Sequence, residues 1–537
     1  MHKIYNYLII NILILSIFAS TGCKKTSGDK EEVARQPEKT YTEEALYRPH
    51  FHFTPKEKWM NDPNGMFYYN GIYHLYFQHY PEDNVWGPMH WGHAVSKDMV
   101  RWTEKPIALY PDEKGYIFSG SAVVDINNTS GFGSKDKPPV IAMFTYHDPE
   151  GEKAKKIDYQ SQAIAYSLDE GYTWTKYEGN PVIQNPGIKD FRDPKILWDA
   201  MHNQWLMVLA AGDETLFYSS KNLKDWKQIS SFGKDTGAHG GVWECPDFFP
   251  MTVAGSGETK WVLLLSINPG APNGGSGTQY FIGDFDGKTF TLDPSFKKDL
   301  DRMEAVWIDY GRDNYAGVTW SGIPETDGRK LWLGWMSNWR YAQQVPTTTW
   351  RSAMTMARKL QLIKTGENYR LLSQPVAELK KYITKTVKKE EISTEGKKVL
   401  FKKEEIDPSR ASVRFTVDNL KEDRYTFLLY NSAGDTLRFG LNNVEKFFFI
   451  DRSGSGDTGF SEKFADSPSK APVTEAFNTL QVEIVMDKTS VEIFYNEGRT
   501  VMTELFFPRA PMETFAVAPG NSAVEIKNLT IHQLTLN

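Results

Sequence analysis

Cysteine is nearly missing from this chain, and so is any surplus of positive charge. Of 537 residues only Cys23 and Cys245 are cysteines, which excludes a disulfide framework. A formal net charge of -6 leaves no basic footprint for nucleic acid. The Gly-rich stretch from Pro272 to Gly277 lacks the lysine of a phosphate loop and reads as a flexible loop near a cavity. His90 and His93 have no cysteine or carboxylate spacing around them that completes a metal site, so no metal or other cofactor is expected. Cys245 has no histidine in its own block to activate a thiol nucleophile, and it reads as a packing cysteine. Aromatic residues are abundant instead: Trp 16, Tyr 26 and Phe 31. With plentiful glycine and proline they favour an all-β architecture rich in turns. Most of those rings are expected in sheet cores, and some suit sugar binding.

The only long apolar run lies at the start. His2 and Lys3 precede a mostly apolar stretch from Ile4 to Ala19, too short to span a bilayer comfortably. Ser20-Thr21-Gly22-Cys23 follows, so the reading is a signal peptide over 1–22. A cysteine directly after Thr-Gly resembles a bacterial lipobox, with Cys23 lipidated after cleavage. Export to a periplasmic or cell-surface membrane face is then expected, with the lipid as the only membrane contact. Residues 23–45 are polar and charged and read as a tether.

From 46 to 363 the strands come in repeated units. Asn70-Gly71 sits between two β-forming runs, a strong hairpin signal. Units start at Asp62, Ser119, Asp193, Glu244 and Asp309. A second signature recurs within them: Ser96-Lys-Asp-Met-Val-Arg-Trp102 and Ser220-Lys-Asn-Leu-Lys-Asp-Trp226 are near copies, and Ser167 to Trp174 is a looser one. Repeats of this size suit the four-stranded blades of a β-propeller, and five starts give five blades. A linker with a short helix from Gln374 to Tyr382 is expected over 364–385. Short alternating strands over 386–537 then predict a β-sandwich, a structural companion or accessory sugar-binding module.

Asp62, Asp193 and Glu244 each stand beside a proline or one residue from it, at the head of a strand. Proline restricts its own φ and its predecessor's backbone, so each acid is rigidly held. The three read as holding one position, the entry to the first strand of units one, three and four, so a propeller brings them to one rim of its channel. Three carboxylates in one cavity suit acid/base and nucleophilic work on a neutral substrate.

Six blocks in order carry a family resemblance: Trp59-Met-Asn-Asp-Pro-Asn-Gly65, Phe118-Ser-Gly-Ser121, Phe191-Arg-Asp-Pro194, Trp243-Glu-Cys-Pro246, Asp309 to Ala316 and Trp335-Met-Ser-Asn-Trp339. They resemble glycoside hydrolase family 32, and the likeness continues through Arg358-Lys-Leu360 and Ser490 to Asn496. That resemblance implies a five-bladed propeller with a β-sandwich and retaining hydrolysis of β-fructofuranosides. The substrate implied is a fructan or fructo-oligosaccharide, levan or inulin, and sucrose besides. It implies Asp62 as nucleophile, Glu244 as acid/base and Asp193 as transition-state stabiliser. Trp59, Asn61, Gln78, Trp86, Phe118, Ser119, Arg192 and Trp335 would bind substrate, with Trp86 and Trp335 as walls. Glu244 is expected to be kept protonated by burial against Trp243 and by the neighbouring acids. Arg192 is expected to orient Asp193. The enzyme is expected to act as a monomer. Competing readings are a fructosyltransferase, an arabinanase or sialidase, and a non-catalytic glycan-binding lipoprotein.

Overall fold

The computed structural model describes residues 41–520 and 523–536. The expected signal peptide and Cys23 lie outside them. Glu43–Tyr47 is already a short helix, so ordered structure begins inside the stretch expected as tether. Thr42 caps this helix, and the Glu43 carboxylate accepts from the backbone of Thr348 and Thr349.

Among the described residues, strands build five sheets of four or five strands, followed by two six-stranded sheets. The first strand of each of the five sheets matters most here: β1 (Lys58–Tyr69), β2 (Tyr116–Val124), β3 (Phe191–Asp199), β4 (Val242–Thr252) and β5 (Tyr315–Thr319). β1 touches β2, β2 touches β3, β3 touches β4, β4 touches β5, and β5 touches β1 again, so the five form a closed ring. Trp350–Arg351, from the far end of the repeat region, adds to β1 in parallel and ties the end of the ring to its start.

Local chemistry accounts for the repeats. Asn70 and Gly71 both have positive φ, 48° and 84°, as a tight primed hairpin turn requires. In the Ser-x-Asp signature, Ser96 Oγ accepts from the amides of Asp98 and Met99. Asp98 Oδ1 accepts from Val100 and Arg101, and Trp102 Nε1 donates back to Met99 O. Ser220, Asn222 and Trp226 repeat the pattern, and Ser167 with Trp174 keeps its two ends. Side chains thus satisfy turn amides that no strand can reach.

Two expected boundaries move. The fifth sheet continues past 363 to the strand Asn368–Pro375, because Arg358–Thr365 pairs with it along its whole length. The linker helix is a 3-10 turn over Ala377–Tyr382; Gln374 and Pro375 end the preceding strand instead of starting the helix. Asp309 does not begin the fifth unit either. That strand starts at Tyr315, while the buried Asp309 carboxylate accepts from Arg358, Asn314 and Thr503.

The two C-terminal sheets share an apolar interior. Phe415 of one meets Phe427 of the other at 4.9 Å between ring centres, and Phe439 and Phe515 extend the stack.

Candidate active site

Every first strand of the ring carries a bulge, two residues opposite one, at corresponding places. Asn61-Asp62 lie opposite Gln78, Phe118-Ser119 opposite Thr145, and Asp193-Pro194 opposite Leu209. Cys245-Pro246 lie opposite Leu265, and Ala316-Gly317 opposite Gly334. A bulge bends its strand and re-aims side chains, which is why bulges gather beside active sites. Asp193, Cys245 and Ala316 take positive φ there, 65°, 47° and 53°.

This register corrects the expectation that the three acids hold one position. Asp62 is the second bulge residue of β1, Asp193 the first of β3, and Glu244 the residue just before the bulge of β4. They still meet. Asp62, Asp193 and Glu244 line one pocket with Asn61, Gln78, Trp86, Phe118, Ser119, Arg192 and Trp339.

Each acid has its own set of donors. Asp62 Oδ1 accepts from Asn61 Nδ2 at 3.0 Å, and Oδ2 from Ser119 Oγ at 2.8 Å. Trp59 Nε1 donates to Asn61 Oδ1 at 2.8 Å and so orients that amide. Asp193 Oδ2 accepts from the Cys245 amide at 2.9 Å. Its own amide donates to Thr145 Oγ1 at 3.0 Å, and Thr145 is held by Gln162 at 2.6 Å. Glu244 Oε1 accepts from Arg192 Nη2 at 3.0 Å, while Oε2 accepts from the Tyr315 hydroxyl. Arg192 is tied on its other side to Asp190 at 2.8 Å.

Charge is distributed unevenly. Burial, then the charges of Glu244 and Asp62, push the Asp193 carboxyl up to about 7, with Arg192 pulling the other way. Burial and then Glu244 push Asp62 up as well, opposed by its donors. The Cys245 thiol lies 3.5 Å from Asp62 Oδ2 and 3.6 Å from Asp193 Oδ2. Burial and the surrounding carboxylates raise it well above its ordinary value, so it stays neutral, with a single S–H that can turn to either acid. Below the rim, Lys195 and Asp247 pair at 3.2 Å, and both bond Thr319.

Of the residues expected to bind substrate, Asn61, Gln78, Trp86, Phe118, Ser119 and Arg192 line the pocket. Gln78 Nε2 is buried there with no protein partner, a donor available to a sugar hydroxyl. Trp59 and Trp335 do not line it. Both are fully buried, and their rings pack at 5.8 Å and 4.9 Å from Trp339, which is the wall they back. Trp243 also turns away, with its Nε1 on Ala238 O at 3.0 Å. Arg192 bonds Glu244, Asp190 and Gln160, and Asp193 is oriented by the Cys245 amide instead. Sequence reasoning missed Tyr315, Trp339 and that amide. The signals were present: Tyr315 heads the fifth first strand, and Trp339 ends a block already singled out.

Three carboxyl groups with separate donor sets, aromatic walls and an unpaired amide donor define a carboxylate-dependent glycoside hydrolase. The family model described as glycosyl hydrolases family 32 N-terminal domain matches residues 52–375, and the family 32 C terminal model matches 378–533. The chain belongs to glycosyl hydrolase family 32. It is 48% identical over 491 residues to a levanase of Bacillus subtilis (strain 168), covering 91% of this chain and 70% of that one. The crystal structure of an exo-inulinase from Aspergillus awamori superposes with a TM-score of 0.82 at 35% identity, over 92% of this chain and 99% of the other. A fructofuranosidase from Schwanniomyces occidentalis complexed with fructose gives 0.81 at 32% identity, over 93% and 100%.

Proposed function

We propose that this enzyme hydrolyses β-fructofuranosidic bonds in fructans, levan or inulin, and in sucrose, releasing fructose with retention at the anomeric carbon. The observation that carries it is the meeting of Asp62 and Glu244 in one pocket with different donors on each. The likeness to a levanase, an exo-inulinase and a fructose-bound fructofuranosidase supports the substrate class. The five sheets are read as the five blades of a propeller, and the two six-stranded sheets as a β-sandwich.

Asp62 is the nucleophile. Its carboxylate oxygen forms a bond to the anomeric carbon as the bond to the leaving oxygen breaks. Glu244 gives its proton to that oxygen. In the second half, water attacks the same carbon and gives a proton to Glu244, and the ester to Asp62 breaks. Arg192 and Tyr315 hold both Glu244 oxygens, so the carboxylate left after the first half is stabilised in place, ready to act as base. Asp193, fixed by the Cys245 amide, bonds fructose hydroxyls as positive charge develops on the ring. Trp86, Phe118 and Trp339 enclose the sugar, and the free Gln78 amide adds a donor.

Timed digests of levan and inulin should release fructose, and Asp62→Ala or Glu244→Ala should abolish release while the fold persists. Full activity in either variant would end this reading; oligosaccharides longer than the substrate would favour a fructosyltransferase. We also propose export as a lipoprotein through Cys23, acting as a monomer. No helix among the described residues is long and apolar enough to cross a membrane. Cys23→Ala should move the enzyme from the membrane to the soluble fraction; an unchanged distribution would reject the anchor.

A further inference from the structure

We infer that the sandwich is a working part of the pocket: its buried Arg452 positions the two loops that carry Tyr315 and Trp339. This rests on the proposed acid/base role of Glu244, which Tyr315 touches.

The strand β6 (Thr500–Leu505) of the sandwich takes the segment ahead of Tyr315 as an added partner. Tyr310 donates to Val501 O at 2.8 Å, and Asp313 to Thr503 O at 3.1 Å. In return Thr503 donates to Asp309 Oδ1 at 2.9 Å, and Leu505 to Asp313 Oδ2 at 2.8 Å. The backbones approach so closely at Gly311 that a Cβ there would stand 2.1 Å from Thr503 N and O. Only glycine fits such an approach. The segment is therefore built to lie on the sandwich, and Tyr315 follows Asp313 by two residues.

Arg452 joins this segment to a second loop. Its Nη1 lies 2.6 Å from Asp313 Oδ2, and its Nη2 donates to the Tyr341 hydroxyl at 2.8 Å. That hydroxyl donates to Asp313 Oδ1 at 2.7 Å, closing a three-membered ring. Tyr341 follows Trp339 by two residues, and Asn338 donates to Arg312 O at 2.9 Å, a second tie between the loops. Arg452 itself is anchored in the sandwich by Phe464 O at 2.7 Å and Glu504 at 2.9 Å. Arg452 and Asp313 are 2% and 0% exposed. A buried ion pair is a poor source of net stability, because desolvation offsets most of the attraction. What this cluster supplies is a fixed geometry, passed along two residues to Glu244's partner and two residues to the pocket wall.

The test is a double-mutant cycle on the full enzyme, read as kcat/KM on sucrose against pH. Tyr341→Phe should lower kcat/KM by roughly three- to tenfold, the loss expected from a weakened hydrogen bond to a charged group. It should also move the alkaline limb by about 0.3 pH unit or more, in the same direction as Tyr315→Phe. In the Tyr315→Phe background it should add no further movement. Phe401→Leu, which thins the sandwich core at the far edge of the sheet that carries Arg452, should lower Tm and leave the limb in place. The inference is overturned if the two tyrosine shifts add, if Phe401→Leu reproduces them, or if only Tyr315→Phe moves the limb. A limb that Tyr315→Phe itself does not move overturns it together with the role given to Glu244.

Discussion

Arg192 and Glu244 hold the same register position in neighbouring sheets, each the last paired residue before its bulge, and they meet at 3.0 Å. The next positions past the bulges repeat the relationship, with Lys195 against Asp247 at 3.2 Å. Two tiers of opposite charge thus face each other across the same pair of strands. The upper tier belongs to the pocket. Its guanidinium is held by Asp190 from behind, so Glu244 has a donor already fixed in place, as its proposed acid/base role would need.

Replacing Arg192 with leucine leaves Glu244 only Tyr315 as a donor. We expect kcat to fall roughly a hundredfold, the usual cost of losing one preorganised donor at developing charge. Circular dichroism should show the fold retained. A wild-type kcat in steady-state assays would show that the guanidinium has no part in the chemistry.

Asp193 is costly to the folded state. Its carboxyl, ordinarily near 3.8, is pushed up to about 7. A raised folded value means that its contribution to stability is fully present below about pH 4 and lost as pH climbs through about 7. Asp193→Asn keeps an acceptor for the Cys245 amide and removes the charge. The variant should be inactive, yet melt at a higher temperature than wild type at pH 8, with the advantage shrinking below pH 7. Equal melting temperatures across that range would contradict this.

Much of this was readable in the sequence, for physical reasons. The Asn70-Gly71 turn and the Ser-x-Asp turns are local, so the residues themselves specify them. The acids beside proline were visible as rigid strand heads. The register of the bulges was not, because an extra residue in a strand is set by what its neighbours across the sheet allow. That is why Asp62, Asp193 and Glu244 looked equivalent and are staggered. Asp309 misled for a related reason: it reads as the start of the fifth unit, whereas Arg358 and Thr503 of the sandwich seam hold its carboxylate ahead of the strand that begins at Tyr315. Among the tryptophans, sequence spacing could not separate the wall Trp339 from its backing, Trp59 and Trp335.

The seam gives a prediction about alkaline stability. His52 is buried between Asp487 at 2.8 Å and Glu492 at 2.9 Å. Burial opposes its charge, but the two carboxylates win and raise it from 6.5 to about 9. Its contribution to stability is therefore fully present below pH 6.5 and lost as pH rises through about 9. That is on the order of 3 kcal/mol. His52→Gln should lower Tm by roughly 3 °C at pH 6 in a protein of this size, with the gap closing toward pH 10. A gap that is constant with pH would mean that His52 is not the titrating group.

The tryptophan cluster separates binding from chemistry. Trp339 offers its ring to the pocket, and Trp59 lies behind it with no open surface. Trp339→Ala removes apolar contact with the sugar and should raise KM roughly tenfold, about 1.4 kcal/mol of binding, with kcat changed less. Trp59 acts differently, because its Nε1 holds Asn61, and Asn61 donates to Asp62. Trp59→Phe keeps most of the ring and deletes only that N–H. Asn61 can then turn, and Asp62 loses part of its orientation. The expected result is a lower kcat with KM near wild type, and full truncation to alanine would add a core cavity worth about 3–5 kcal/mol of stability. Steady-state kinetics on sucrose at one pH decide between them. If Trp59→Phe raised KM and spared kcat, the relay from indole to Asp62 would be wrong, and Trp59 would be only the packing behind a wall.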